Sequence, residues 1–133
     1  MIKIFIGGKG SGKTKTLVDL VNAAADTSDG SVICIEKGDK LTHTVTYKAR
    51  LIDTDVYAVE DAQTLYGFLA GILASNNDIT DIFVDSALKI CGNNTMAFGA
   101  MLPQLEKLAE NVNLVMTASI PVDECPGSIK RYV

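Results

Sequence analysis

A glycine-rich loop near the start of the chain carries residue types that bind phosphate. The loop consists of Gly7, Gly8, Lys9, Gly10, Ser11, Gly12, Lys13 and Thr14, and it matches the pattern G-x-x-x-x-G-K-[ST] at each fixed position. Glycine permits backbone angles at which successive N–H groups point inward around an anion. Lys13 would reach the β- and γ-phosphates of a nucleotide, and the Thr14 hydroxyl would bind the bridging Mg²⁺. We therefore predict that these eight residues bind nucleotide phosphates.

The sequence on both sides of this loop predicts the elements that would hold it. Residues 2–6 form a short apolar run suited to a buried strand, and residues 14–25 have the apolar spacing of a helix. Glycines alone could simply make a tight turn, but a turn does not account for Lys13 and Thr14 directly after the last glycine. Lys9 occupies a free position of the pattern, where an ordinary solvated lysine is the alternative.

Asp85 is the expected companion of the loop. It ends the run 79–85, in which a buried strand terminates in a carboxylate. An aspartate at the carboxyl end of a neighbouring strand would hold Mg²⁺ opposite the Thr14 hydroxyl, usually through a water molecule. We therefore predict Thr14 and Asp85 as the metal-binding pair, and Lys13 and Asp85 as catalytic residues.

Two further strand ends carry polar groups. Glu36 closes the apolar run 32–35, and Thr117 and Ser119 follow the last long apolar run of the chain. Open α/β sheets bind ligands beyond the carboxyl ends of their strands, so these groups are expected at the same edge. Glu36 is the third candidate catalytic residue, and a solvated strand end or a partner for Lys37 is the alternative. Either hydroxyl would contact the terminal phosphate or its attacking water, or cap a turn.

The rest of the chain is expected to alternate between helices and strands. Helices are predicted at residues 61–75, 86–91 and 95–110. Strands are predicted at residues 41–47, 50–53 and 128–133, and residues 41–47 would form an exposed strand or an extended arm. Thr95 is expected to cap the last of these helices, which Pro103 would kink or restart. Gly67 and Gly71 would let the first of them pack closely on the sheet.

Composition narrows the classes of function. With 133 residues, 47% of them apolar and 21% charged, the chain predicts one domain spanning residues 1–133. The net charge of −4 argues against direct nucleic-acid binding, which requires clustered basic residues. No apolar stretch reaches about 18 residues and no leader segment is evident, so we expect no membrane association and a cytoplasmic protein. The three scattered cysteines and the single histidine, His43, form no metal-binding pattern.

The combination of Gly7–Thr14 with the run ending at Asp85 resembles the P-loop NTPase superfamily. The resemblance covers most of the chain and implies an α/β fold, a three-layer α/β/α sandwich with a mostly parallel sheet that binds Mg-ATP or Mg-GTP. The carboxylate-ended second strand and the hydroxyl-ended fourth strand look more like the RecA-like ATPase branch. In that branch a glutamate at the position of Glu36 commonly polarises the attacking water.

The chain is also similar to short single-domain bacterial ATP-binding proteins labelled twitching-motility ATPase-like. Motility ATPases have an additional N-terminal domain and further acidic and histidine motifs, which are not evident here, so a motility function is not implied. Ser86 follows Asp85 where many relatives of the ATPase branch carry a glutamate. No N-K-x-D guanine motif occurs in the chain, which disfavours a GTPase.

These observations lead to one expected function and two alternatives. We expect a small ATPase with ATP and Mg²⁺ as ligands, slow or stimulated by a partner. The first alternative is a nucleotide-dependent switch or assembly module that does not appreciably hydrolyse ATP. A small-molecule kinase is less expected because phosphoryl transfer uses several cations and the chain has only two arginines, Arg50 and Arg131. Arg131 or Arg50 would be the candidate for an arginine finger that acts on a neighbouring subunit, and an ordinary surface residue is the alternative for each. A protein partner and a homo-oligomer both stay open.

Overall fold

The computed structural model describes residues 1–133 and contains five strands and five α-helices. The strands are β1 (Ile2–Gly7), β2 (Ser31–Glu36), β3 (Arg50–Asp53), β4 (Ile79–Val84) and β5 (Asn113–Ser119). The helices are α1 (Lys13–Thr27), α2 (Ala62–Ser75), α3 (Ala87–Ile90), α4 (Thr95–Leu108) and α5 (Gly127–Lys130). Short 3₁₀ turns occupy Thr54–Tyr57 and Val122–Glu124.

All five strands pair in parallel in one sheet of order β1-β5-β4-β2-β3. Strands of a parallel sheet are buried on both faces, which is why the central strands contain short continuous apolar runs, such as residues 32–35, rather than alternating patterns. Parallel pairing also brings the carboxyl ends of all strands to the same edge of the sheet. Gly7, Ser119, Val84 and Glu36 therefore end four neighbouring strands at one edge.

Helices cover both faces of the sheet, although unequally. A cluster of 26 buried residues joins one face to α2, α3, α4 and α5, and includes Leu69, Phe98 and Leu102. A cluster of nine buried residues joins the other face to α1 and the segment 41–49. The predicted α/β class is confirmed, and the arrangement is consistent with the predicted three-layer sandwich.

Two helices begin at side chains that satisfy their free N–H groups. Asp61 accepts a hydrogen bond from Thr64 N at 2.8 Å, and the Thr64 hydroxyl accepts one from Asp61 N at 3.1 Å, which completes a capping box at α2. Asn94 caps α4 by accepting from Ala97 N at 3.0 Å. The predicted cap at Thr95 is therefore wrong by one residue, because the amide oxygen of Asn94 reaches the free N–H first.

The helix α4 runs through Pro103 without a restart. A proline in a helix interior removes one backbone hydrogen bond and costs roughly 3 kcal/mol. The buried face of α4, which includes Phe98, Leu102 and Leu105, packs in the larger core and offsets this cost.

Two predicted strands are absent. Residues 41–47 form turns, because Leu41 and Val45 are both buried four residues apart while the hydroxyls of Thr42 and Thr44 bond to nearby carbonyl oxygens. Residues 128–133 form the end of α5 and a short tail, in which the Tyr132 carbonyl accepts from Ile4 N at 2.9 Å along the outer edge of β1.

The glycines in α2 have space for a side chain, whereas the glycine before β2 does not. Gly67 and Gly71 are exposed, and a Cβ atom at either would meet nothing within 4 Å, so the prediction of close packing at these positions is wrong. A Cβ atom at Gly30, in contrast, would lie 1.9 Å from the carbonyl oxygen of Asp78. That carbonyl accepts from Ser31 N at 2.7 Å at the start of β2, so the contact cannot open without breaking this bond.

We expect Gly30→Ala to destabilise the protein by roughly 1–3 kcal/mol, because the added methyl group must displace backbone. Gly67→Ala and Gly71→Ala are matched controls, and each should stabilise the protein by about 0.5–1 kcal/mol since alanine is the better helix former. The free energies of unfolding from urea denaturation measure both effects. A Gly30→Ala variant as stable as the wild type would contradict the close approach at this position.

Candidate functional site

The glycine-rich loop connects β1 to α1 through a tight turn. Gly10 and Gly12 have φ angles of +83° and +86°, in the left-handed region that glycine adopts without steric cost. A Cβ atom at Gly7 would lie 2.6 Å from the hydroxyl oxygen of Ser11, because the loop folds back on itself. Ser11 N donates to the Gly8 carbonyl at 3.2 Å and closes this turn.

The first turn of α1 presents the two side chains with predicted roles towards phosphate and metal. Lys13 Nζ donates to the Gly8 carbonyl at 2.9 Å and lies 3.3 Å from the Ser11 hydroxyl, so its ammonium group lies over the loop. No side chain caps the helix at Gly12, and its first turn has no acidic residue. The free N–H groups and the positive end of the helix dipole therefore face the loop, an arrangement that favours an anion.

Asp85 follows β4 and meets the loop through Thr14. The Thr14 hydroxyl lies 3.1 Å from Asp85 Oδ1 and 3.3 Å from Oδ2, although the two residues are 71 positions apart. The Thr117 hydroxyl of β5 donates to Asp85 Oδ1 at 2.9 Å. Asp85 is 8% exposed and Thr117 1% exposed, so these hydroxyls replace the water that a buried carboxylate would lose. The structure thus brings the predicted pair together.

Ser86 occupies an uncommon backbone conformation directly after Asp85. Its φ of 56° and ψ of 47° lie in the left-handed region, which costs on the order of 1–3 kcal/mol for a residue other than glycine. Ser86 N donates to the Thr117 hydroxyl at 2.7 Å and holds this conformation. The Thr117 hydroxyl therefore bridges the Ser86 amide and the Asp85 carboxylate, and Thr117 also lines the cavity described below.

Glu36 lies at the end of β2 but is turned into the following segment. Its side chain is 3% exposed, and its Oε2 accepts from Leu41 N at 3.1 Å. Burial raises the pKa of Glu36; the amides of Leu41 and Lys40 oppose this shift, and the charges of Asp85 and Asp53 add to it. Glu36 does not line the cavity described below, and its role towards an attacking water stays a prediction.

A cavity of about 650 Å³ opens between the loop, Asp85 and the segments that follow β2 and β4. Five lysines line it, and Asp85 is the only carboxylate among the lining residues. The lysines are Lys9, Lys13, Lys15, Lys40 and Lys89. In a chain with a net charge of −4, this concentration of positive charge favours an anionic ligand.

The cavity residues that were not predicted from the sequence include Lys15, Lys40, Lys89 and Asn93. Lys40 and Lys89 each follow a carboxylate at a strand end by four residues, Glu36 and Asp85 respectively. That spacing was the available signal, since a short turn after a strand end returns to the same edge of the sheet.

The candidate hydroxyl of Ser119 lines the cavity, whereas the arginines, the histidine and the cysteines do not. Arg50 begins β3 and is therefore at the amino edge of the sheet, and the Arg131 guanidinium lies 5.0 Å from the centre of the Tyr132 ring. His43 is exposed in the segment after β2, as expected for a surface residue. The cysteines are free, and burial raises the pKa of Cys34 and Cys91 to about 12, which makes both thiols unreactive.

The residues at the meeting point of α1 and β4 suit a magnesium ion. Thr14 contributes a hydroxyl oxygen and Asp85 a carboxylate, and the adjacent side chain of Thr117 is another hydroxyl. Mg²⁺ prefers oxygen ligands, and it is bound in proteins by one or two such side chains together with water and substrate phosphates. The donor set on this edge of the sheet fits that requirement.

No protein-family profile and no curated protein matches the chain. Among the helices, none combines the length and apolar character that a bilayer span requires.

The raised pKa of Glu36 has a consequence for stability. The folded state binds this proton more tightly than the unfolded state, whose carboxyl titrates near 4.5. Stability contributed by the neutral form is therefore complete below pH 4.5 and is lost as the pH rises through the folded pKa. We expect Glu36→Gln, which keeps an acceptor oxygen for Leu41 N, to stabilise the protein at pH 8 relative to the wild type, and much less at pH 4.

Urea denaturation at the two pH values measures this difference. Glu110→Gln removes an exposed carboxylate outside the site and controls for the change in net charge. Equal effects of the two substitutions at both pH values would contradict a burial penalty at Glu36.

Proposed function

We propose that the chain is a small nucleotide-binding protein with a P-loop NTPase fold that binds Mg-ATP and hydrolyses it slowly or on stimulation by a partner. The observation that carries this proposal is the meeting of Thr14 with Asp85 beside a loop of free amides, in a cavity with five lysines. Loop amides, an ammonium group and a hydroxyl–carboxylate pair are the groups that a magnesium-bound polyphosphate requires.

Each residue of the pair and the loop has a role in this proposal. Lys13 and the loop amides hold the phosphates, and Thr14 and Asp85 would hold Mg²⁺. When bound, the metal would neutralise part of the negative charge of the phosphates. Thr117 keeps the Asp85 carboxylate in place through its hydrogen bond of 2.9 Å. A cytoplasmic location and the absence of direct nucleic-acid binding accompany the proposal as predictions.

A switch or assembly module that binds ATP without appreciable hydrolysis is the second candidate. Asp85 is the only carboxylate that lines the cavity, and Glu36 is engaged with the Leu41 amide. Activation of a water molecule requires a general base within hydrogen-bond reach of it. This candidate is favoured because no carboxylate other than Asp85 lines the cavity and could act as the base.

We expect Lys13→Ala to weaken Mg-ATP binding about 10–100-fold, because hydrogen bonds to charged groups contribute roughly 1.5–3 kcal/mol. Lys107→Ala, which removes an exposed lysine of α4 outside the cavity, should bind like the wild type. Calorimetric titration measures affinity, and single-turnover release of phosphate separates an ATPase from a switch. Wild-type protein that fails to bind Mg-ATP would reject both candidates.

Asp85→Asn tests the metal site. We expect the variant to lose about 10–100-fold of the affinity that Mg²⁺ adds to ATP binding, a range typical for groups that support a metal. The amide oxygen still accepts from the Thr14 and Thr117 hydroxyls, so the fold should be kept. Titrations with Mg²⁺ and with a chelator give the magnesium-dependent part, and Asp81→Asn at the other end of β4 is the control. An unchanged magnesium dependence in Asp85→Asn would remove Asp85 from the metal site.

A further inference from the structure

The turn 37–41 after β2 is held by three carboxylates. Glu36 Oε2 accepts from Leu41 N at 3.1 Å, and Asp53 Oδ1 accepts from Gly38 N at 2.8 Å. Lys37 Nζ pairs with Asp55 Oδ1 at 2.5 Å. The Leu41 side chain is 5% exposed and belongs to the smaller core cluster, together with residues of α1. Both ends of this short turn are therefore fixed to the body of the protein.

Lys40 is the charged side chain that this turn presents to the cavity. It lines the cavity next to Leu41, is exposed, and has no salt-bridge partner. Its neighbours Lys37 and Lys48 are paired with Asp55 and Asp26. An unpaired ammonium group on a fixed turn beside an anion site is available to bind the anion.

The order of strands gives the side from which Lys40 approaches. The phosphate-binding loop follows β1, Asp85 follows β4, and Lys40 follows β2. In the sheet β4 lies between β5 and β2, so the strand that leads into the loop and the strand that leads into Lys40 lie on opposite sides of β4, which leads into Asp85. A chain of phosphates that starts on the loop and passes Asp85 would extend towards the β2 side of the cavity, which Lys40 lines.

We infer that Lys40 binds the terminal phosphate of the nucleotide and that Glu36 is a positioning residue, which acts by fixing the backbone of the turn that carries Lys40. This role rests on the proposed function, and it adds that Lys40 gives the site a preference for a nucleoside triphosphate over a diphosphate. The Lys40 ammonium offers three donors to the terminal phosphate oxygens without a second subunit.

The test of Lys40 compares Mg-ATP with Mg-ADP. We expect Lys40→Ala to weaken Mg-ATP binding about tenfold or more and Mg-ADP binding by less than about twofold, because only the triphosphate extends to the lost charge. Lys40→Arg should keep most of the preference, and Lys48→Ala is the control for the loss of one lysine near this turn. Titrations at about 0.15 M ionic strength suppress long-range effects of net charge.

The test of Glu36 is rescue by the conservative substitution. We expect Glu36→Ala to reduce the preference for Mg-ATP and Glu36→Gln to restore most of it, since the amide oxygen of glutamine accepts from Leu41 N. The effects of Glu36→Ala and Lys40→Ala on Mg-ATP binding should be non-additive, because both remove the same contact. Additive effects, or a Glu36→Gln variant as impaired as Glu36→Ala, would overturn the positioning role.

Two results overturn the role of Lys40 while leaving the proposed function intact. The first is unchanged binding of both nucleotides by Lys40→Ala, and the second is equal weakening of Mg-ATP and Mg-ADP. Lys13→Ala distinguishes these results from failure of the proposed function, because it should weaken both nucleotides in a protein that binds them. A wild type that binds neither nucleotide rejects the proposed function and the role of Lys40 together.

Discussion

Parallel pairing of all five strands is the constraint on which the candidate site depends. Each strand of a parallel sheet ends at the same edge, so four segments far apart in the sequence meet there without any further element. The loop after β1, Asp85 after β4, Thr117 near the end of β5 and the turn after β2 are all placed in this way. Because side chains alternate between the faces of a strand, a slip of one residue in β4 would turn Phe83 out of its core and change the direction of every side chain beyond it.

Two buried carboxylates, Glu36 and Asp85, lie at the ends of neighbouring strands and have different hydrogen-bond partners. Asp85 accepts hydrogen bonds from the hydroxyls of Thr14 and Thr117, and hydroxyl oxygens can also act as ligands to a cation. Glu36 accepts a hydrogen bond from the backbone amide of Leu41, which orders a turn. A backbone N–H group cannot act as a ligand to a metal ion. The desolvation that raises the pKa of Glu36 is offset in part by this amide contact. Asp85 is therefore suited to a ligand site and Glu36 to the support of a backbone segment.

Sequence reasoning could predict the parts of the site that depend on local pattern. The loop, α1 and the strand ending before Asp85 each follow from residue types within a few positions, and the Thr14–Asp85 pair then follows from parallel pairing. Residues 41–47 were predicted wrongly because alternating threonines resemble a strand, whereas burial of Leu41 and Val45 depends on their position under α1. Lys40 and Lys89 each follow a strand-end carboxylate by four residues, but this spacing alone does not distinguish a charge that faces a cavity from one that faces solvent.

The smaller core cluster links the two walls of the cavity. Leu17, one helical turn after Lys13 and Thr14, and Leu41, directly after Lys40, belong to the same cluster of nine buried residues. The start of α1 and the turn after β2 are thus packed on one face of the sheet through shared apolar contacts. Movement of one wall relative to the other would expose part of this cluster to water, at a cost of roughly 25 cal/mol for each Å² of apolar surface. The spacing between the Lys13 and Lys40 backbones is therefore set by packing before any ligand binds. An anion that spans these residues binds without the free-energy cost of ordering the two walls, because they are already ordered in the folded protein.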